Sequence, residues 1–213
     1  MRRGLFKSIK DHSCFMKGTM LDFGCGTKPY KPLFDVDLYI GLDIEDCDNE
    51  YFAEHVDVLY NGTSLPFKDE SFDSILATEV IEHIFEIDSL LTELFRILKK
   101  SSYMLITCPF VWEEHEIPND YARYTSYGIS YLLQKHGFEI IKKEKTTNYV
   151  ETIFQMWLLY LHQYVLPRNK YLRFLLSTLM VPTINFVALT LGYFLPYNNK
   201  LYNNNVIVVQ RSL

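Results

Sequence analysis

A doubly wound α/β fold with a mostly parallel sheet is predicted by three observations. Short apolar runs alternate with helical patterns, several of those runs end in an acid, and the first turns over two glycines one residue apart. In such a sheet, ligands bind outside the carboxyl ends of the strands. Asp22, Asp43, Asp57, Glu79 and Pro109 all fall at such ends, so chemistry is expected along that edge.

The first strand runs into Leu21-Asp22-Phe23-Gly24-Cys25-Gly26-Thr27. Glycines at 24 and 26 let the backbone bend sharply and let a ligand approach the main chain. Asp22 can accept hydrogen bonds from the turn's amides or from a cationic ligand group, an arrangement that disfavours a pyrophosphate. The third glycine of a dinucleotide fingerprint would fall where Pro29 stands, so the GxGxxG match is broken. Leu38 to Asp43 reads as the second strand, and its terminal carboxylate, Asp43, suits the two hydroxyls of a ribose. Tyr51 to Val58 is expected to form the third strand with Asp57 near its end, before a loop at Asn61-Gly62-Thr63-Ser64. Phe72 to Ala77 is the fourth strand, bounded by Asp69-Glu70-Ser71 and Glu79.

Ile87, Leu90, Leu91, Leu94, Ile97 and Leu98 follow helical spacing, which predicts an amphipathic helix over Ile87 to Lys100. Tyr103 to Cys108 is a fifth strand stopped by Pro109. Thr125 or Ser126 then caps a helix that runs to His136 and ends at Gly137, and Phe138 to Lys145 resumes as a strand. Thr152 to Leu166 and Phe174 to Leu195 contain no Asp, Glu, Lys or Arg, and the second run has the length of a membrane span. Pro182, Asn185 and Gly192 are expected to interrupt it. The basic connection Pro167 to Arg173 would stay on the cytoplasmic side. Residues 150–197 therefore read as an apolar helical insertion before a last strand at Val206 to Val209, contacting a membrane through 152–195 or covering the sheet or a dimer interface.

With 213 residues, 48% of them hydrophobic, the chain suits one domain over 1–213. A net charge of −5 supplies no basic footprint, which argues against a nucleic-acid partner. Cys14, Cys25, Cys47 and Cys108 form no CxxC pair and no signal-peptide pattern precedes them, so reduced thiols in the cytoplasm are expected. Leu5, Phe6 and Ile9 among Arg2, Arg3, Lys7 and Lys10 read as a short helix, packed on the domain or lying on a membrane.

Taken together, LDFGCGTKPYKPLF, YIGLDI, SLPFKDESFDSILATEVIEHI and LTELFRILKKSSYMLITCP resemble, in order, a class I S-adenosylmethionine-dependent methyltransferase of the type 11 kind over roughly residues 18–148. The resemblance implies a Rossmann-like sheet and S-adenosylmethionine as cofactor. Asp22, Gly24 and Gly26 would hold its methionyl part, Asp43 its ribose hydroxyls and Asp57 its adenine amino group, with Thr78 and Glu79 facing the sulfonium. A second pattern, His115-x-x-Pro118-x-Asp120-Tyr121-x-Arg123-Tyr124-Thr125, is similar to methyltransferases associated with bacterial surface-polysaccharide synthesis. It implies a glycan or lipid-linked saccharide acceptor, with His83 and His115 as the catalytic candidates and His115 as a base toward a hydroxyl. Asp120 and Arg123 equally suit an ion pair holding that loop. Glu79, Glu82 and His83 would share a helical face and, with His115, resemble the ExxEH set of metal-dependent small-RNA and quinone-precursor methyltransferases. The same EH occurs in metal-free members, so the sequence reading assigns no metal. Methylation of a lipid or quinone-type molecule, or a catalytically silent cofactor-binding scaffold in a membrane complex, are the alternative functions.

Overall fold

The computed structural model describes residues 2–44, 55–62 and 64–213. The chain divides into two compact units, Arg2–Glu144 with Asn204–Leu213, and Lys145–Asn203.

The first unit carries a seven-stranded sheet of β1 (Thr19–Phe23), β2 (Leu38–Ile44), β3 (Val58–Tyr60), β4 (Phe72–Thr78), β5 (Leu98–Pro109), β6 (Phe138–Lys145) and β7 (Asn204–Arg211). Their spatial order is β3-β2-β1-β4-β5-β7-β6. The pairs among β1 to β5 are parallel, and β7 runs antiparallel to β5 from Tyr103 opposite Gln210 to Pro109 opposite Asn204. The chain leaves β1 for β2 on one side and later fills the other side with β4. That reversal makes the carboxyl end of β1 the switch point at which such sheets bind ligands.

Strand periodicity explains why the sheet is buried on both faces. Met20, Leu76, Leu105, Val206 and Val208 point to one face, where Leu5 and Ile9 of α1 (Arg2–His12) cover them. Leu21, Phe23, Ile75, Ala77, Ile106 and Ile207 point to the other, under Leu91 and Leu94 of α2 (Ile87–Ile97) and Ile129 and Leu133 of α3 (Ser126–Lys135). The amino-terminal helix is thus packed on the sheet. Thr125 caps α3 by accepting from the Gly128 amide at 3.0 Å, and Gly137 takes φ +85° just after it.

Three sequence expectations are corrected here. α2 stops at Ile97, because Leu98 already pairs with Phe72 and Lys99 reaches Asp73 at 2.7 Å, so both terminal lysines belong to β5. The third strand is Val58–Tyr60, and Asp57 precedes it; positions 51–54 lie outside the described residues, as do Cys47 and Thr63. Glu79, Glu82 and His83 do not share an α-helical face: Glu79 has φ +51° and a single 3₁₀ turn, Ile81–His83, follows.

The second unit is helical. Asn148 and Glu151 form a reciprocal cap on α4 (Tyr149–Tyr160), which continues as a π turn over Leu161–Val165. Asn169 caps α5 (Lys170–Phe194) by accepting from the amides of Tyr171 and Leu172. Pro182 does not break α5, which corrects the expected interruption; a proline forfeits one backbone bond, and the helix continues past it. At 25 residues, α5 extends about 37 Å and is long and apolar enough to cross a membrane. The expected insertion, 150–197, falls inside this unit.

Candidate active site

The turn after β1 is built from backbone. The amides of Gly24 and Cys25 both donate to the Leu42 carbonyl on β2, at 2.9 and 3.1 Å, and the Gly26 amide donates to Asp43 Oδ2 at 2.8 Å. Gly24 has φ +68° and Gly26 φ +47°. A Cβ at Gly24 would lie 2.4 Å from Val80 Cγ2, so the chain leaving β4 passes directly against the turn. Between Gly26 and β2 the chain forms a 3₁₀ turn, Lys31–Leu33.

Asp22 is 2% exposed. Its Oδ2 accepts from the Tyr39 hydroxyl, while Oδ1 has no partner among the described residues. Burial raises its carboxyl to about 7, against the lowering effect of the Tyr39 hydrogen bond. A buried acceptor without a donor beside a glycine turn is the arrangement a cationic ligand group completes. Asp57 stands apart from this pattern. Its Oδ2 accepts from the Gly41 amide at 2.7 Å and pairs with Lys28 at 2.5 Å, and it faces a recess of about 680 Å³ that Lys28, Lys31, Tyr39 and His55 also line.

A second cluster forms where β4 ends. Thr78 closes β4 opposite Thr107. The Glu79 carboxylate turns toward β5 and β7, accepting from Thr107 Oγ1 at 2.7 Å and from Asn204 Nδ2. Glu82 is 0% exposed, and neither of its oxygens has a hydrogen-bond partner among the described residues. Burial pushes both carboxyls up, and the Glu79 charge adds to the effect on Glu82. His83 Nδ1 lies 2.7 Å from the Asn119 carbonyl, a contact that calls for the proton on Nδ1. The His115 ring stands edge-on to His83 with centroids 4.7 Å apart.

The loop that brings His115 here is held by one ion pair. Arg123 donates to both oxygens of Asp120 at 2.6 Å and also to the Glu113 carbonyl, while the Asp120 carboxylate accepts from the His115 amide at 2.9 Å. The Tyr121 and Ala122 amides close the loop onto the Glu82 carbonyl. Sequence reasoning missed Tyr39, Thr107, Asn204 and Asn205. Their signal was polarity inside apolar strands: Asn205, buried in β7, donates to the Tyr124 carbonyl at 2.8 Å and fixes the far end of the loop. Cysteine chemistry is not indicated, since burial pushes the Cys25 thiol up to about 12 and the buried Cys108 thiol well above its usual value.

The family described as "Methyltransferase domain" matches residues 21–106, which span the turn, Asp43 and the Glu79 to His83 exit. Over residues 21–106 the chain is similar to methyltransferase domains. Its cofactor is S-adenosylmethionine, and the residues of the turn would hold it: Asp22 Oδ1 would accept from the amino group, the glycines would let the methionyl part approach closely, and Asp43 would take the ribose hydroxyls. When bound, this cofactor supplies an electrophilic methyl group. No curated protein matches the chain. Among solved structures, the [4+2]-cyclase SpnF is 18% identical with a TM-score of 0.60, covering 98% of this chain and 81% of that one. A Bacillus halodurans protein described as a candidate methyltransferase is 12% identical with a TM-score of 0.61, covering 98% and 99%. Phosphoethanolamine N-methyltransferase 2 of Haemonchus contortus is 17% identical with a TM-score of 0.58, covering 100% and 53%. At these identities the likeness is one of fold, and a cyclase among them shows that this fold does not fix the reaction.

Proposed function

We propose that this methyltransferase transfers the methyl group to a hydroxyl of a lipid-linked saccharide at the cytoplasmic face of a membrane. The observation that carries the reading is the exposed apolar surface of α4 and α5. Phe174, Leu175, Leu179, Phe186, Leu189 and Phe194 are all exposed on α5. The hydroxyls of Ser177, Thr178, Thr183 and Thr190 donate to carbonyls of the same helix, so they ask nothing of a surrounding solvent. Trp157 stacks on Tyr160 and Tyr164 tilts against it along α4 and its π turn, and Tyr171 and Tyr193 stand near the two ends of α5, positions suited to a membrane interface.

Topology favours helices lying in the interface over a crossing. α4 follows β6, α5 precedes β7, and both strands belong to one sheet. The connection between the helices carries Arg168, Lys170 and Arg173, which belong with headgroups. In this reading the basic connection stays on the cytoplasmic side with the strands, as the positive-inside preference of lysine and arginine favours. An apolar recess of about 480 Å³, lined by Ile153, Met156, Trp157 and Tyr160, suits the hydrocarbon of a lipid carrier.

On the acceptor side, His83 and the half-buried His115 stand together beyond the exit of β4, where this reading puts the acceptor hydroxyl. The test is transfer of labelled methyl from S-adenosylmethionine into a membrane lipid extract, followed by mild acid to release the saccharide. Label is expected in the released sugar, and His115→Ala should lower turnover about 100-fold or more. Label in the hydrocarbon fraction would support the quinone or lipid alternative instead. Binding to vesicles of anionic lipid should be lost in a Phe186→Asp, Leu189→Asp double variant.

A further inference from the structure

We infer that Glu82, His83 and His115 form a binding site for one divalent transition-metal ion, which the sequence by itself did not assign. One ligand atom from each residue can be chosen so that all three lie within 4.8 Å of one another. Glu82 Oε1 and His83 Nε2 stand 3.9 Å apart. A tetrahedral ion with bonds of ~2.1 Å holds its ligands about 3.4 Å apart, so small side-chain rotations would close the site.

Three features support a ligand at these groups. Glu82 is 0% exposed with both oxygens unpartnered among the described residues, although a buried carboxylate ordinarily has hydrogen bonds or a counter-charge. His83 Nε2 is likewise buried without a partner, and its Nδ1 is committed to the Asn119 carbonyl, as the second ring nitrogen of a metal-bound imidazole usually is. The His115 backbone is anchored by Asp120, and the Tyr121 and Ala122 amides tie the loop to the Glu82 carbonyl, so the ligands are held by one hydrogen-bonded frame. Glu116 Oε2, 3.7 Å from His83 Nε2 and exposed, stands on the open side, where a further ligand could enter.

One carboxylate and two imidazoles select zinc, manganese, iron or cobalt over calcium or magnesium, and leave a coordination position for an outside oxygen. The two histidines then act on an acceptor hydroxyl by holding a cation that draws its oxygen and favours loss of its proton. Glu79 is not a ligand in this arrangement, because Thr107 and Asn204 occupy both of its oxygens.

The test uses the full chain, stripped with EDTA, dialysed, and titrated with Zn²⁺ by calorimetry and with Co²⁺ by visible absorption. About one equivalent per chain is expected, with a tetrahedral or five-coordinate Co²⁺ spectrum and a raised melting temperature on Zn²⁺ addition. Glu82→Gln should weaken Zn²⁺ binding at least 100-fold and abolish the Co²⁺ band while leaving S-adenosylmethionine binding intact, which serves as the folding control. Should that variant fail to fold, His115→Asn, at a half-buried position, should give the same loss. Failure of Zn²⁺ and Co²⁺ to bind stoichiometrically would overturn the inference and leave an imidazole between two carboxylates. Unchanged binding in either variant would overturn it too. Because no acceptor enters these measurements, their outcome is independent of the saccharide reading above.

Discussion

Replacing Asp22 with asparagine should make the free protein more stable and bind its cofactor less tightly. The carboxyl is 2% exposed and raised to about 7, chiefly by burial. The sign follows from linkage: an acid whose folded value lies above its unfolded one destabilises the fold once it must ionise, from about pH 4 upward, and the penalty is complete above about 7. At pH 8 it amounts to at most about 4 kcal/mol. Asp22→Asn removes that cost while still accepting from Tyr39, so a melting temperature several degrees higher is expected for a chain of this length. Cofactor affinity moves the other way. Loss of a charged hydrogen bond to the amino group is worth about 1.5–3 kcal/mol, or roughly 10–150-fold. Calorimetry with S-adenosylmethionine should also show proton release at pH 6 and a wild-type affinity rising about tenfold per unit up to pH 7. That rising limb should vanish in the variant. Equal affinity in both proteins, or a limb that persists in Asp22→Asn, would refute the assignment of Asp22 to the cofactor.

Gly24→Ala should cost about 1–2 kcal/mol for its φ of +68° alone, and more because the new methyl would meet Val80; urea unfolding and cofactor calorimetry should both register it. Asp43→Ala should weaken cofactor binding by loss of ribose contacts and by freeing the Gly26 amide, with little effect on the melting temperature of the rest of the sheet. Arg123→Ala should destabilise by about 3–5 kcal/mol, since the Asp120 side chain, only 4% exposed, loses its charged partner. The Arg123 guanidinium holds the Asp120 carboxyl well below its ordinary range. Its contribution is therefore present above about pH 4 and is lost as the pH falls further, so melting curves of the variant should show less acid sensitivity than wild type.

Most of the sheet was legible because strand burial leaves a direct trace. TMLDF, LYIGLDI, FDSILAT and NNVIVVQR are short apolar runs with turns at their ends, and β1, β2, β4 and β7 stand where those runs are. The boundary of α2 was not, because Leu98 satisfies helical periodicity and strand burial equally and only its pairing with Phe72 decides between them. Pro182 misled for a related reason: local propensity counts the lost bond, whereas the rest of α5 sustains the helix across it.

The same division runs through the site. Sequence by itself determined the turn, since Asp22, Gly24 and Gly26 are neighbours along one strand end and their chemistry is local. It also offered the ion pair of Asp120 and Arg123, three residues apart, as one of two readings, and the structure forms it. Only the tertiary structure decided that Glu79 serves Thr107 and Asn204 while Glu82 turns to His83 and His115. A positive φ at Glu79 and one 3₁₀ turn send these side chains in different directions, and the partners of Glu79 lie 28 and 125 positions away in the chain. Spacing along a sequence carries information about residues that share an element; groups assembled from separate elements are placed by packing.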